Sequence, residues 1–128
     1  MTRRFRAPTG PQYKWLKRDD ILVYYVQRFG LWRLEHFGIS AEFRLIRLLK
    51  DEQGTAMSDE SFRRRKANFD WLDRHGLNSR CNAWASHYAD QSAEVWTEYN
   101  GKSKIDYWNV INELVPELKA ARSRSAHE

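Results

Sequence analysis

The chain has a single cysteine, only three prolines and six glycines, and no long apolar run. One cysteine, Cys81, excludes an internal disulfide and a zinc site built from several cysteines, so we expect a reducing compartment. No stretch approaches about 18 uncharged apolar residues, and the N-terminal residues lack the apolar segment of a signal peptide. The sequence therefore predicts a soluble cytoplasmic protein without a membrane partner.

Aromatic residues are plentiful, and the chain carries a positive charge. It has six Trp, six Tyr and six Phe within a hydrophobic content of 41%, which excludes disorder of the whole chain. A length of 128 residues fits one domain. The net charge of +5 and the pI near 9.5 favour anionic partners, namely nucleic acid, an anionic membrane surface or an acidic protein. Charge alone does not choose among them.

Apolar residues that recur at spacings of three and four predict an all-α domain of four to six helices with a helix-turn-helix-like core. The first helix should run from about Asp19 to Gly30. The predicted N-caps of the later helices are Ser40, Ser58, Ser92 and Ser103, because a serine hydroxyl can accept hydrogen bonds from the first amides. The predicted core stripes are Phe43, Ile46 and Leu49 in the second helix and Ile105, Trp108, Ile111 and Leu114 in the last. Trp15 and Trp96 are also assigned to the core.

The chain divides into three parts by composition. Residues 1–14 combine Arg3, Arg4 and Arg6 with helix-breaking residues and predict a flexible basic arm. Residues 15–118 form the single helical domain, and residues 119–128 a frayed polar tail. Pro116 should kink the last helix or begin a new one, since it lacks an amide donor. Residues 77 to 90 have no clean period, so a long loop and a small β-hairpin wing are both open there.

The stretch MSDESFRRRKANFDWLD, residues 57–73, combines a helix start with four consecutive cations. Ser58 can cap this third helix and Gly76 can end it. At about 100° per residue, Phe62, Phe69 and Leu72 fall on one side, with Arg65 and Lys66 near its edges. The opposite side carries Arg63, Arg64, Ala67, Asn68 and Trp71. The helix is thus amphipathic, and its polar side is either a binding surface or a solvated basic face.

Candidate catalytic groupings are weak. Ser86, His87 and Asp90 are close in sequence, but a triad is defined by spatial geometry. Asp70 and His75 point to different sides of a helix, so a metal site with Asp73 is not expected. Glu94 and Glu98 share a face without a third ligand. We therefore predict no enzymatic activity, no cofactor and no metal.

Several of these features together resemble the helical DNA-binding module at the amino end of HNH-type restriction endonucleases. The matching positions of the third helix are Ser61, Phe62, Lys66, Asn68, Phe69, Leu72 and Asp73, and those beyond it are Gly76, Leu77, Glu94, Trp96 and Tyr99. The resemblance covers about residues 15 to 100. The segment between the second and third helices is shorter than in that family, and three arginines replace less charged residues. No histidine lies in an HNH-like context, so the resemblance implies a binding module without a nuclease.

Double-stranded DNA is accordingly the predicted partner. Arg63 and Arg64 would contact guanine or phosphates, Asn68 would contact adenine, and Arg65 and Lys66 would hold the DNA backbone. Arg44 and Arg47 of the second helix would add phosphate contacts, and the arm with Arg3, Arg4 and Arg6 would enter a minor groove. About five neutralised phosphates predict a log-log salt slope on the order of −4 to −5.

Two alternatives to duplex-DNA binding stay open. The chain could be a phage or mobile-element protein that binds and inhibits a host or defence enzyme, or an RNA-associated structural protein. Trp71, on the arginine side of the third helix, could stack on unpaired bases or be covered by a loop or a partner chain. A stand-alone DNA-binding protein, with the role of a small regulator, is the leading hypothesis.

Overall fold

The computed structural model describes residues 14–53, 58–77 and 89–126, with the backbone alone for residues 51–53 and 121–126. These residues form five α-helices: α1 (Lys17–Phe29), α2 (Glu42–Gln53), α3 (Asp59–His75), α4 (Asp90–Tyr99) and α5 (Lys104–Ala126). A 3-10 helix, Leu34–Phe37, connects α1 to α2. No strand occurs in the described ranges, which confirms the all-α prediction. The predicted N-terminal arm, Cys81 and nearly all of the candidate β-wing lie outside the described residues.

Helix α1 lies at the centre of the fold. Every residue from Asp19 to Val26 is buried, and α1 contacts α3, α4 and α5. The Tyr24 ring stacks on Phe69 of α3 with ring centroids 4.7 Å apart. The Tyr107 hydroxyl of α5 donates a 2.5 Å hydrogen bond to the carbonyl oxygen of Ile21. Helix α1 therefore anchors the amphipathic faces of three other helices.

The core stripes were predicted correctly except at their first residues. Ile46 and Leu49 are buried, as are Trp108, Ile111 and Leu114, whereas Phe43 and Ile105 are each 51% exposed. A three-residue spacing drifts by about 60° per step around a helix, so the first member of a long stripe turns away from the core. The buried face is completed in α2 by Leu45 and Leu48 and in α5 by Tyr107, Val115 and Leu118. Trp15 and Trp96 are partly buried and pack against this core.

Three of the predicted helix boundaries are confirmed by capping contacts. The Ser58 hydroxyl accepts a 3.1 Å hydrogen bond from the Ser61 amide, and the Ser103 hydroxyl accepts one of 3.1 Å from the Asp106 amide. Gly76 ends α3 at φ 82°, a conformation that glycine adopts without the steric cost of a Cβ. The prediction for Ser92 was wrong: Ala89 occupies the N-cap position of α4 without a side-chain hydrogen bond, and Ser92 is a buried residue within the helix.

Pro116 was expected either to kink the last helix or to begin a new one; α5 continues through it as far as Ala126, so no new helix begins there. Pro116 lies on the exposed side, next to the buried residues Val115 and Leu118. Residues 119–126, assigned from sequence to a frayed tail, belong to this helix. Among the described helices, none combines the length and the apolarity that crossing a bilayer requires.

Candidate nucleic-acid interface

Helix α3 is held by its apolar side and presents a polar side to solvent. Phe62, Phe69 and Leu72 are fully buried, as the sequence predicted. The opposite side contains the exposed residues Arg63, Arg64, Ala67 and Arg74, which we call the outer face. The four consecutive cations, residues 63–66, therefore point in different directions around the helix axis, and each has a different environment.

Arg65 points inward to α1. Its Nε and one terminal nitrogen donate hydrogen bonds of 2.7 Å each to the two carboxylate oxygens of Asp20, which is fully buried. Asp20 also accepts a 2.8 Å hydrogen bond from the Gln91 amide of α4, and the Arg65 guanidinium lies 5.0 Å from the centre of the Trp15 ring. A phosphate contact by Arg65 would require this buried pair to break, which costs several kcal/mol. Arg65 therefore joins α3 to α1, and the DNA-backbone contact predicted for it is not part of the candidate interface.

Lys66 connects α3 to the beginning of α2. Its ammonium forms a 2.5 Å ion pair with the Glu42 carboxylate, and the two side chains are 28% and 38% exposed. This partly exposed pair is weaker than the Arg65 pair, because water screens its charges. Lys66 can reach a phosphate only in exchange for Glu42.

Asn68 faces α4 rather than solvent. Its Nδ2 donates a 3.2 Å hydrogen bond to the hydroxyl of Ser92, which is fully buried. The sequence predicted that Asn68 points outward. In the structure α4 covers that edge of α3, so Asn68 lies at the contact between the two helices. An adenine contact would leave the Ser92 hydroxyl without this donor, so the structure favours a packing role for Asn68.

The outer face contains three arginines with weak or no ionic restraint. Arg64 pairs with Glu60 at 2.8 Å, and Arg74 pairs with Asp70 at 2.5 Å, both across one helical turn. Arg63 has no hydrogen bond or ion pair to another described residue. Exposed pairs at this spacing contribute only about 0.3–0.5 kcal/mol, so all three guanidinium groups are available to an external anion.

A cleft lies beside Arg63, between α1 and α3. Val26, Gln27, Lys66, Ala67 and Asp70 complete its lining, and its volume is about 350 Å³. The Gln27 side-chain oxygen is buried there and accepts no hydrogen bond from the described residues. No sequence motif pointed to Gln27, although its spacing of three and four from the buried residues Tyr24 and Val23 indicates the core side of α1.

Trp71 is half-buried and packs against the core, so it is not a free stacking platform. Its ring centroid lies 3.9 Å from that of His75, one turn further along α3. Asp73 accepts a 2.8 Å hydrogen bond from the Tyr24 hydroxyl and a 2.9 Å hydrogen bond from the Trp96 indole. These contacts connect the end of α3 to α1 and α4.

Glu94 and Glu98 serve as ion-pair partners of one lysine. Lys17 lies between Glu94 and Glu98, with its ammonium 3.8 Å and 2.6 Å from their respective carboxylate oxygens. No group of three or more metal-ligating side chains occurs in the described part of the chain. Ser86 and His87, considered above with Asp90, lie outside the described residues.

Arg44 and Arg47 are exposed on α2, but not next to the outer face of α3. Their guanidinium groups lie 5.3 and 5.8 Å from the centre of the Phe43 ring. Arg44 is about 160° around the helix from Glu42, the residue through which α2 meets Lys66 of α3. The two arginines therefore belong to another surface of α2, and the phosphate contacts expected of them stay a prediction.

Comparisons with protein-family models, curated proteins and solved structures find no match to this chain.

Proposed function

We propose that the protein binds duplex DNA through the outer face of α3. The observation that carries this proposal is the arrangement of Arg63, Arg64 and Arg74, of which the first has no partner among the described residues and the others have only exposed pairs. At 1.5 Å per residue, Arg63 and Arg74 are about 16 Å apart along the helix, and they differ by about 20° around it. Such a row can contact several phosphates along one groove.

The energetics favour an exchange of partners on this face. Breaking the Arg64 and Arg74 pairs costs a few tenths of a kcal/mol each, whereas each neutralised phosphate releases counterions from the DNA. The net charge of +5 adds a long-range attraction to polyanions. The three arginines supply phosphate contacts first, and Arg63 or Arg64 can in addition contact guanine O6 and N7.

The resemblance to the DNA-binding module of HNH-type restriction endonucleases also favours α3 as the helix that contacts DNA. The proposed interface contains fewer residues of α3 than the sequence predicted. Arg65 and Asn68 are removed from the proposed interface, because both make contacts within the fold. With about three phosphates contacted by α3, the helix should contribute about −3 to the log-log salt slope. Residues Arg3, Arg4 and Arg6 can add to this value.

The test is fluorescence anisotropy with a labelled duplex of random sequence at several salt concentrations. Arg63→Gln/Arg64→Gln should weaken binding about tenfold or more and lower the salt slope by about two. Lys102→Gln/Lys104→Gln is the matched control, since it removes the same charge between α4 and α5 and should lower the affinity much less. Equal losses of DNA affinity in the two variants would show that net charge alone attracts the DNA. If the wild-type protein shows no salt-sensitive binding to the duplex, DNA binding is rejected and a protein partner is favoured.

A further inference from the structure

A second cleft lies where the 3-10 helix, α2 and α5 meet, and we call it the α2–α5 cleft. Its charged lining consists of Arg44, Arg47 and Lys119, and its uncharged lining of Phe37, Gly38, Ile39 and Leu48. Its volume is about 310 Å³. Among the described residues, no carboxylate lines this cleft and none of its three cations forms an ion pair. The cleft therefore concentrates positive charge beside an apolar surface.

The three cations are restrained before any ligand arrives. Lys119 donates a 2.5 Å hydrogen bond to the Phe37 carbonyl oxygen, which uses one of the three donors of its ammonium group. The guanidinium groups of Arg44 and Arg47 both rest on the half-exposed Phe43 ring. Restraint of this kind reduces the side-chain entropy that a ligand would otherwise remove on binding.

We propose that the α2–α5 cleft binds a phosphate monoester whose carbon portion lies against Ile39 and Leu48. A monoester carries between one and two negative charges at neutral pH, which matches two guanidinium groups and one ammonium better than a single carboxylate does. Guanidinium groups donate paired hydrogen bonds to phosphate oxygens, and Lys119 retains two donors. The volume lies at the lower end of the range for small-molecule pockets.

This site is separate from the proposed DNA interface. Arg44 and Arg47 point away from the side of α2 that meets α3, and Lys119 belongs to α5. The phosphate monoester can be that of a small metabolite or that at the end of a nucleic-acid strand, because both present the same group. The inference does not rest on duplex binding by α3, and different variants test the two proposals.

The experiment is a titration of the isotope-labelled wild-type protein followed by two-dimensional NMR. Adenosine 5′-monophosphate should shift the amide signals of Gly38, Ile39 and Leu48, and adenosine should leave them in place. Arg44→Gln/Arg47→Gln should weaken binding about tenfold or more, as expected for the loss of charge-assisted hydrogen bonds. Lys119→Gln, which changes one exposed side chain, should weaken it by a smaller factor. Arg63→Gln/Arg64→Gln is the control and should leave the affinity unchanged.

Equal shifts with adenosine and its monophosphate, or equal losses in the control and the α2 variant, would overturn the proposal. The same is true if no cleft amide responds to the monophosphate. A short oligothymidylate with and without a 5′-phosphate distinguishes the two sources of the group. A response to the phosphorylated strand assigns the cleft to a strand end, and a response to the mononucleotide alone assigns it to a small metabolite.

Discussion

Arg65 and Asp20 form a bidentate pair in which both hydrogen bonds are 2.7 Å long and the carboxylate has no exposed surface. Arg64, the preceding residue, forms its pair with Glu60 in solvent. Arg65→Met should lower the free energy of unfolding by about 3–5 kcal/mol, because it leaves a buried charge without its partner. Arg64→Met should change it by less than about 0.5 kcal/mol. Urea denaturation of the two variants provides the comparison.

A second variant separates lost charge from lost packing at this position. Asp20→Asn/Arg65→Met removes both charges and should recover part of the stability lost in Arg65→Met. A loss below about 1 kcal/mol in Arg65→Met itself would contradict the inward role of this arginine.

Asn68 is expected to affect stability more than DNA affinity. Asn68→Ala leaves the buried Ser92 hydroxyl without its donor and should cost about 1–3 kcal/mol in unfolding free energy. Its effect on duplex affinity, measured by anisotropy under conditions where the variant is folded, should be less than about twofold. Asn68→Ala/Ser92→Ala, which removes both partners, should be more stable than Asn68→Ala. A large loss of affinity in a fully folded variant would restore Asn68 to the interface.

Gln27 offers a site for stabilisation. Its buried side-chain oxygen accepts no hydrogen bond from the described residues, so Gln27→Met keeps the shape and removes a desolvated polar atom. We expect the free energy of unfolding to rise by about 1 kcal/mol. Gln27→Glu, which places a charge at the same position, should lower it. Thermal unfolding of both variants measures the two effects, and destabilisation by Gln27→Met would contradict the prediction.

Buried tyrosines should make the protein sensitive to alkali. Burial raises the pKa of Tyr25 to about 12, and burial also raises the pKa values of Tyr24 and Tyr107. All three side chains are neutral in the folded protein at a pH where the unfolded chain, with tyrosine pKa values near 10, already ionises. Their contribution to the free energy of unfolding is therefore complete below about pH 10. It is lost as the pH rises further, at about 1.4 kcal/mol per pH unit for each tyrosine.

Urea denaturation between about pH 9 and pH 12 tests this dependence. Tyr25→Phe should be less stable near neutral pH, because it loses the hydrogen bond from its hydroxyl to the Trp32 carbonyl oxygen. It should also lose less stability with rising pH than the wild-type protein. Parallel curves for the two proteins would show that Tyr25 ionises equally in the folded and unfolded states.

Local sequence patterns predicted the helices, because the signals for a helix lie within a few residues of one another. The caps Ser58 and Ser103 and the buried residues Phe62 and Phe69 are of this kind. The candidate interface depended on contacts across the chain. Asp20, the partner of Arg65, is 45 residues away, and no periodicity within α3 indicates it.

The same limitation applies to Asn68, whose partner Ser92 is 24 residues away in a helix that covers one edge of α3. A helical projection separates inside from outside, but it does not show how wide the covered side is. Arg63 and Arg64 are exposed as predicted: Arg63 lies about 140° around the helix from Asn68, and Arg64, only about 40° from it, lies one turn nearer the start of α3. Gln27 was missed because its significance depends on the lack of a hydrogen-bond donor among the described residues around it, which only the assembled fold reveals.

The inward pair of α3 has a geometric consequence for the residues that point outward. Arg63 and Arg65 are about 160° apart around the helix. The paired hydrogen bonds of Arg65 fix the rotation of α3 about its axis and therefore the direction in which Arg63 points. The Asp20 carboxylate accepts hydrogen bonds from the Arg65 guanidinium and from the side-chain amide of Gln91, which fixes the orientation of α3 relative to α1 and α4. The direction in which the surface arginines point is thus determined by an ion pair that solvent does not reach.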